Sequence, residues 1–307
     1  MYHFDPTTGI LTEVGQIWYI QADLMLINPN TATYQYQQSI GPFKLERSAA
    51  TGMTVSGGFS CVGWCEYGPV TYPKQNLTTN TVAEGERYFG TTVKNSGEIG
   101  DITVRADYSM GKSGFTNTPT EKTYGPQVRC DNALPGVSTV GCVFPQYIPA
   151  MDYSLTGPYP QLASHIKRAQ ESGLPGAPGG TPLNRITDAT LRQKNGDRAC
   201  PAASSGGYPR PDGHDCDEYP FRSTVQGAYT AGSYTPDDPA TPPARPWPAR
   251  TFDGCQITEP RQTGDVGYSV CMIDSGQNQN GGSDLNSVLY VPERVLDRDR
   301  FYVWITP

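Results

Sequence analysis

The densest chemistry in this 307-residue chain lies in one run, DGHDCDEYPFRSTVQGA, where Asp212, Asp215, Asp217 and Glu218 fall within seven positions. Carboxylates this close raise one another's pKa unless a cation or hydrogen bond relieves them, and a divalent metal is the natural relief. Pro-Asp-Gly turn chemistry explains Asp212 and Asp215 well and Asp217 and Glu218 poorly. If DEYPF enters a strand, the adjacent side chains of Asp217 and Glu218 point to opposite faces. One should then face a reacting atom while the other orients a neighbour or satisfies backbone donors. A glycosidase needs two carboxyl groups ~5 to 9.5 Å apart across a sugar, which two adjacent strand residues do not supply alone.

A second polar cluster, SGQNQNGG, places Gln277, Asn278, Gln279 and Asn280 just before an expected helix. Amide oxygens are hard neutral ligands suited to Mg²⁺, Mn²⁺ or Ca²⁺, and helix N-termini attract phosphate; a Gln/Asn-rich turn is the plainer reading. Between 160 and 200, six basic residues (Lys167, Arg168, Arg185, Arg192, Lys194 and Arg198) outnumber Glu171, Asp188 and Asp197, an excess of +3. That stretch suits a phosphate backbone, although such runs are more often a solvated helical face. The whole-chain charge of −7 argues mildly against a sequence-independent polyanion binder, so charge has to be read locally. His165 sits beside an apolar helical stripe, which favours a structural role over a ligand's.

The eight cysteines fall in sequence as four successive close pairs. Their order predicts local disulfides joining Cys61 to Cys65, Cys130 to Cys142, Cys200 to Cys216 and Cys255 to Cys271, and an oxidising compartment. Structural zinc is disfavoured because no CxxC occurs and His3, His165 and His214 lie far apart. No run approaches the ~18 apolar residues of a membrane span, and MYHFDPTTGI lacks the regions of a signal peptide, so the disulfides carry the expectation of secretion.

The elements that must hold these residues divide into two. With Gly 34, Pro 28 and only 17% charged residues, the chain is turn-rich and biased towards strands. From Gly15 to about Ser109, alternating and β-branched or aromatic runs separated by NPN, SGG and NSGEIG predict an antiparallel sandwich or barrel without a catalytic constellation. A boundary is expected near 150, giving a 1–150 β-rich domain and a 151–307 domain of mixed α+β type. In the second, PQLASHIKRAQESG predicts an amphipathic helix on Leu162, Ile166 and Ala169, stopped at Gly173. TDATLRQKN predicts a short helix with Thr187 as N-cap. The Pro-rich stretch 229–253 predicts a long surface excursion. SVCMID reads as a strand, SDLNSVLYVPERV as a capped helix with Leu285, Val288 and Leu289 inward and ended by Pro292, and DRDRFYVWI as a final strand.

CDEYPFRSTVQGA, preceded by DRACPA and PRPDGHD, closely resembles the DEYP-type signature of the NucA/NucB deoxyribonuclease domain. QNQNGG and LYVPERVLDRDRFYVWI resemble that family's closing region, and HIKRAQESGLPGAPGGTPLNRITDATL what precedes the signature. The resemblance covers about residues 160–307 and leaves 1–150 outside it. It implies a small ββα-metal nuclease, with long loops and disulfides, that is secreted and cuts DNA with little sequence preference. In such folds one residue on the ββ ribbon activates water, and a polar residue on the helix holds one divalent ion against the scissile phosphate. The resemblance maps the base onto Asp217, makes Glu218 a metal ligand or its supporting partner, and puts the metal-facing amide at Asn278 or Asn280. Mg²⁺ or Mn²⁺ is the expected ion, with Ca²⁺ an alternative.

Sequence-independent DNA contacts would go to phosphate and sugar, with Arg222, Lys167, Arg168 and Gln279 as candidates. Arg222 stands where the family has a small residue, Asn286-Ser287 replaces a Gly-Asn step, and His214 replaces an aromatic. The competing expectation is a catalytically inactive DNA- or glycan-binding surface protein, whose β-rich half docks to a surface, an inhibitor or another partner.

Overall fold

A computed structural model describes residues 1–116, 118–232 and 247–307. The chain is of mixed α+β type, with strands dominating and few helices. All four expected disulfides are formed: Cys61–Cys65, Cys130–Cys142, Cys200–Cys216 and Cys255–Cys271. The chain divides into two compact units, one made of Met1–Ala133 and Val137–Gln146, the other of Leu134–Gly136 and Tyr147–Pro307.

The principal strands of the first unit are β1 (Gln21–Leu26), β2 (Thr33–Ile40), β3 (Thr54–Gly63), β4 (Cys65–Thr71), β5 (Ala83–Thr91), β6 (Ile99–Gly111), β7 (Val128–Asp131) and β8 (Gly141–Val143). One sheet runs β1-β2-β5-β4; the other runs β8-β7-β6-β3 and ends on Gln75–Asn76, with Glu121–Tyr124 also paired to β6. Strict alternation sets the faces. In β2 the buried residues are Tyr34, Tyr36, Gln38 and Ile40; in β6 they include Ile102, Val104, Ala106, Tyr108 and Met110. The apolar residues of both sets join one aromatic-rich cluster with Phe59, Tyr72 and Phe89. Two disulfides staple this unit. Cys61, buried near the end of β3, bonds to Cys65 at the start of β4 and so links a strand of one sheet to an edge strand of the other across a short connection. Cys130 and Cys142 are direct cross-strand partners in the β7–β8 hairpin.

The second unit contains β9 (Ala150–Ser154), α1 (Pro160–Glu171), β10 (Leu183–Asn184), α2 (Ala189–Ala199), β11 (His214–Tyr219), β12 (Ala249–Arg250), β13 (Tyr268–Asp274), α3 (Ser275–Asp284) and β14 (Arg300–Thr306). β14 lies between parallel β9 and antiparallel β10. β13 pairs antiparallel with β11 and parallel with β12. Cys255, fully buried in the loop after β12, bonds to Cys271 of β13, and Met272 N donates to Cys255 O at 2.9 Å, so that loop is fastened to the hairpin twice. As its pattern predicts, α1 opens on a proline, where the missing N–H costs nothing, and buries Leu162, Ala163, Ile166 and Ala169.

Three expectations are corrected here. The N-cap of α2 is Asp188, which accepts from Leu191 N at 2.8 Å, while Thr187 is itself held by Asp297. The amide run is not a turn but the helix α3, because Asp274 caps it at Ser275 by accepting from Gln277 N at 2.9 Å. The segment expected to form that helix follows as a π-helical stretch, Leu285–Tyr290, whose wider turn buries Leu285, Leu289 and Tyr290 and leaves Val288 56% exposed. Of the Pro-rich excursion, positions 233–246 lie outside the described residues.

Candidate functional site

The β11–β13 hairpin has two faces fixed by its register, in which Asp217 is opposite Cys271 and Glu218 opposite Val270. Tyr219, Cys271 and Ile273 pack with Cys255 and with Leu162, Ile166 and Ala169 of α1. Cys216, Val270 and Met272 pack with Ala199 at the end of α2. The Cys200–Cys216 disulfide ties the end of α2 to β11. On the side of α1, α3 approaches so closely that a Cβ on Gly281 would lie 2.3 Å from Leu162 Cδ2, and Tyr153 donates to Gly281 O at 2.7 Å. The start of α3 is thereby held beside β11, with Asn278 Nδ2 donating to Cys216 O at 3.4 Å and Gln279 Nε2 to Asp215 Oδ2 at 2.8 Å.

Between α2, β11 and α3 opens a polar cleft of about 620 Å³. Glu218 lies in it, with Asn278, Gln279 and Asn286 on the α3 side and Arg192 on the α2 side, and Arg222 reaches it from the turn after β11. Glu218 Oε1 accepts from Arg222 N at 3.2 Å. Burial, and then the neighbouring Asp217 charge, push the Glu218 carboxyl up to about 7, against the opposing pull of Arg222. A carboxyl group poised there can take a proton from water at neutral pH.

Asp217 has the opposite surroundings. Although an edge of it reaches the cleft wall, the residue is 4% exposed, and its Oδ2 lies 2.6 Å from Nδ1 of His165, itself 1% exposed. His165 Nε2 meets Ser269 Oγ at 3.0 Å, and Ser269 also donates to Tyr219 O at 3.3 Å. These three side chains have the order of a hydrolytic triad, but Ser269 is fully buried and its hydroxyl is engaged by backbone, so no acyl group can reach it. The chain of bonds fastens α1 to the hairpin. Strand alternation thus turns Asp217, the residue expected to be the base, mostly inward onto His165, and gives Glu218 the more open position in the cleft.

Other expected site residues separate as well. Gln279 and Arg222 line the cleft. Asn280 is exposed and outside it, because on the helix it points away from the face that carries Asn278 and Gly282. Lys167 forms an i,i+4 ion pair with Glu171, and Arg168 lies over the Phe252 ring at 5.3 Å; neither lines the cleft. His214 bonds through Nδ1 to Asp212 O at 3.0 Å and lines a separate groove beside α1. Arg192, noted in the sequence only within a basic run, and Asn286, noted only as a departure from the family pattern, are cleft residues too. Their signal was spacing: Asn278, Gly282 and Asn286 recur every four residues, as do Arg192 and Gly196.

Among the described residues, no three His, Cys, Asp or Glu side chains cluster as a metal cage. The cleft offers the carboxylate of Glu218, those of Asp197 and an edge of Asp217, which are engaged by Gln193 and His165, and the amide oxygens of Asn278, Gln279 and Asn286. Asn278 spends its Nδ2 on Cys216 O, which leaves Oδ1 as the acceptor for a cation. Carboxylate and amide oxygens are the hard donors that Mg²⁺ or Mn²⁺ takes, and Ca²⁺ as well where water completes its shell.

Compared with protein-family models, curated proteins and solved structures, the chain matches none. Among the described residues no helix is long and apolar enough to cross a membrane.

Proposed function

We propose that the chain is a secreted, metal-dependent, non-specific DNA endonuclease of the NucA/NucB type, with a sandwich-like first unit and a ββα-metal second unit. The observation that carries this reading is Glu218, a half-buried carboxylate with a pKa raised to about 7, in a cleft rimmed by helix amides and two arginines. The order β11, β13, α3 supports it, since the hairpin supplies the acid and the helix that follows directly supplies the amides.

In this reading Glu218 accepts a proton from the water that attacks phosphorus, and burial gives it the basicity for that transfer at neutral pH. Asn278, assisted by Asn286 and by Glu218 Oε2, would hold Mg²⁺ or Mn²⁺. When bound, such an ion supplies Lewis acidity towards the phosphoryl oxygens and the leaving 3′ oxygen. Asp217 does not touch the substrate; through His165 it sets the position of β11 and hence of Glu218. No base-reading element is needed, because contacts to phosphate carry affinity without sequence preference. The four disulfides accord with an oxidising, extracellular setting.

The competing reading is a DNA- or glycan-binding surface protein without catalysis, which the overall charge of −7 and the lack of a multi-acid cage among the described residues favour. Digestion of supercoiled plasmid by the purified chain separates the two. Cutting that needs Mg²⁺ or Mn²⁺ and stops in EDTA supports the nuclease; binding without cutting in any divalent ion supports the alternative.

A further inference from the structure

The α2 side of the cleft carries two arginines beside one acid, Asp197. Arg192 and Arg222 both line it, and neither side chain forms an ion pair among the described residues. Arg192 Nε is buried with no hydrogen-bond partner among the described residues, an unfavourable state for a charged group's donor. Beyond it lies the buried Arg185, whose pKa is lowered by burial and also by the charge of Arg192. Asp297 and Asp299 offset Arg185. The acid on this wall, Asp197, already accepts from Gln193 Nε2 at 2.7 Å.

Local sequence makes room for the second arginine. Gly196 stands one turn after Arg192 inside α2, where glycine is a poor helix former. A Cβ there would meet Arg222 Cδ at 3.4 Å and NH1 at 3.9 Å, so the Arg222 side chain lies across the bare helix backbone. Two arginines thus line the α2 side of the cleft, while the α3 side presents the neutral amides of Asn278, Gln279 and Asn286.

We propose that Arg192 and Arg222 form a phosphate subsite for the nucleotide next to the one whose phosphodiester faces Glu218, so that the cleft takes a polynucleotide strand rather than an isolated phosphodiester. Guanidinium forks match phosphate oxygens two at a time, and both arginine side chains line the cleft without an ion-pair partner among the described residues. The proposal rests on the nuclease reading and adds a substrate-binding wall to it.

The test uses the full chain carrying Glu218→Gln as a non-cutting binder and a short fluorescein-labelled single-stranded DNA, titrated between ~50 and 200 mM salt. Adding Arg192→Ala should weaken Kd about tenfold and make the slope of log Kd against log salt shallower by about 0.7–1. Arg192→Lys should keep the slope, and Lys44→Ala, an exposed charge in the first unit, should leave both values unchanged. In the cutting enzyme Arg192→Ala should raise KM with kcat preserved, a split that general structural damage does not produce. Should Arg192→Ala melt early, Arg222→Ala at the exposed mouth gives the same readout. An unchanged salt slope in a folded variant, while the wild type cuts plasmid, overturns the subsite alone. A wild type that neither cuts nor binds DNA overturns the nuclease reading, and the subsite with it.

Discussion

Asp217 and Glu218 are covalent neighbours of like charge, yet the hairpin gives them unlike surroundings. Asp217 looks towards α1, is 4% exposed and has His165 as a dedicated partner. Glu218 looks towards α2 and α3, accepts from the backbone N–H of Arg222 at 3.2 Å without a buried charged partner like His165 among the described residues, and sits with its pKa raised to about 7. The difference teaches that a buried charge with a matched partner is spent on structure, whereas one left under-satisfied in a cleft is available for chemistry.

The largest effect should come from the α1 side. His165→Ala leaves Asp217 buried without its partner and is expected to cost about 3–5 kcal/mol in urea unfolding of the second unit. A loss below about 1 kcal/mol would mean that the pair does not anchor the hairpin. Next, replacing Cys200 and Cys216 by serine frees the end of α2 from β11 and is expected to cost about 3 kcal/mol, read as a lower melting temperature. An unchanged melting temperature would show that packing alone holds α2 on the hairpin.

On the cleft side the effects are smaller and more selective. Asn278→Ala should raise the Mg²⁺ concentration for half-maximal cutting about tenfold, equivalent to ~1.4 kcal/mol, while Asn280→Ala leaves it unchanged. Equal effects of the two would erase the distinction between inner and outer faces of α3. The smallest effect concerns pH. Because burial raises the Glu218 pKa above its ordinary 4.5, the protonated form favours the fold; that contribution is complete below about pH 4.5 and is lost as pH rises through about 7. In EDTA, the wild type should therefore lose on the order of 1 kcal/mol relative to Glu218→Gln between those values, with screening by water in the cleft limiting the size. A Glu218→Gln difference that does not vary with pH would place the carboxyl in free solvent.

Much of this arrangement was legible in the residues. Cysteine order gave all four disulfides, from Cys61–Cys65 to Cys255–Cys271, and period-2 patterning gave the strands of the first unit. Strand alternation required that Asp217 and Glu218 part company. Which of the two faced inward was not legible, because it depends on His165 reaching from α1, 52 residues earlier in the chain. The helical nature of SGQNQNGG was hidden by its glycines and amides, whose weak propensity is overridden by the Asp274 cap and by close packing of Gly281 on Leu162. Lys167 and Arg168 looked like phosphate ligands by charge alone; their position on α1 sets them on the far side of the hairpin from Glu218. Arg192 and Asn286 needed the tertiary fold before they shared a cleft with the acid.

The central claim, that Glu218 rather than Asp217 performs the chemistry, is tested most directly by supercoiled-plasmid digestion in Mg²⁺ or Mn²⁺ with the paired variants Glu218→Gln and Asp217→Asn, each normalised to its folded fraction. The account predicts that Glu218→Gln falls by about 10² to 10⁴-fold with its melting temperature preserved, while Asp217→Asn melts earlier but cuts at nearly the wild-type rate per folded molecule. A folded Asp217→Asn protein that fails to cut, beside a Glu218→Gln protein that still cuts, would contradict it.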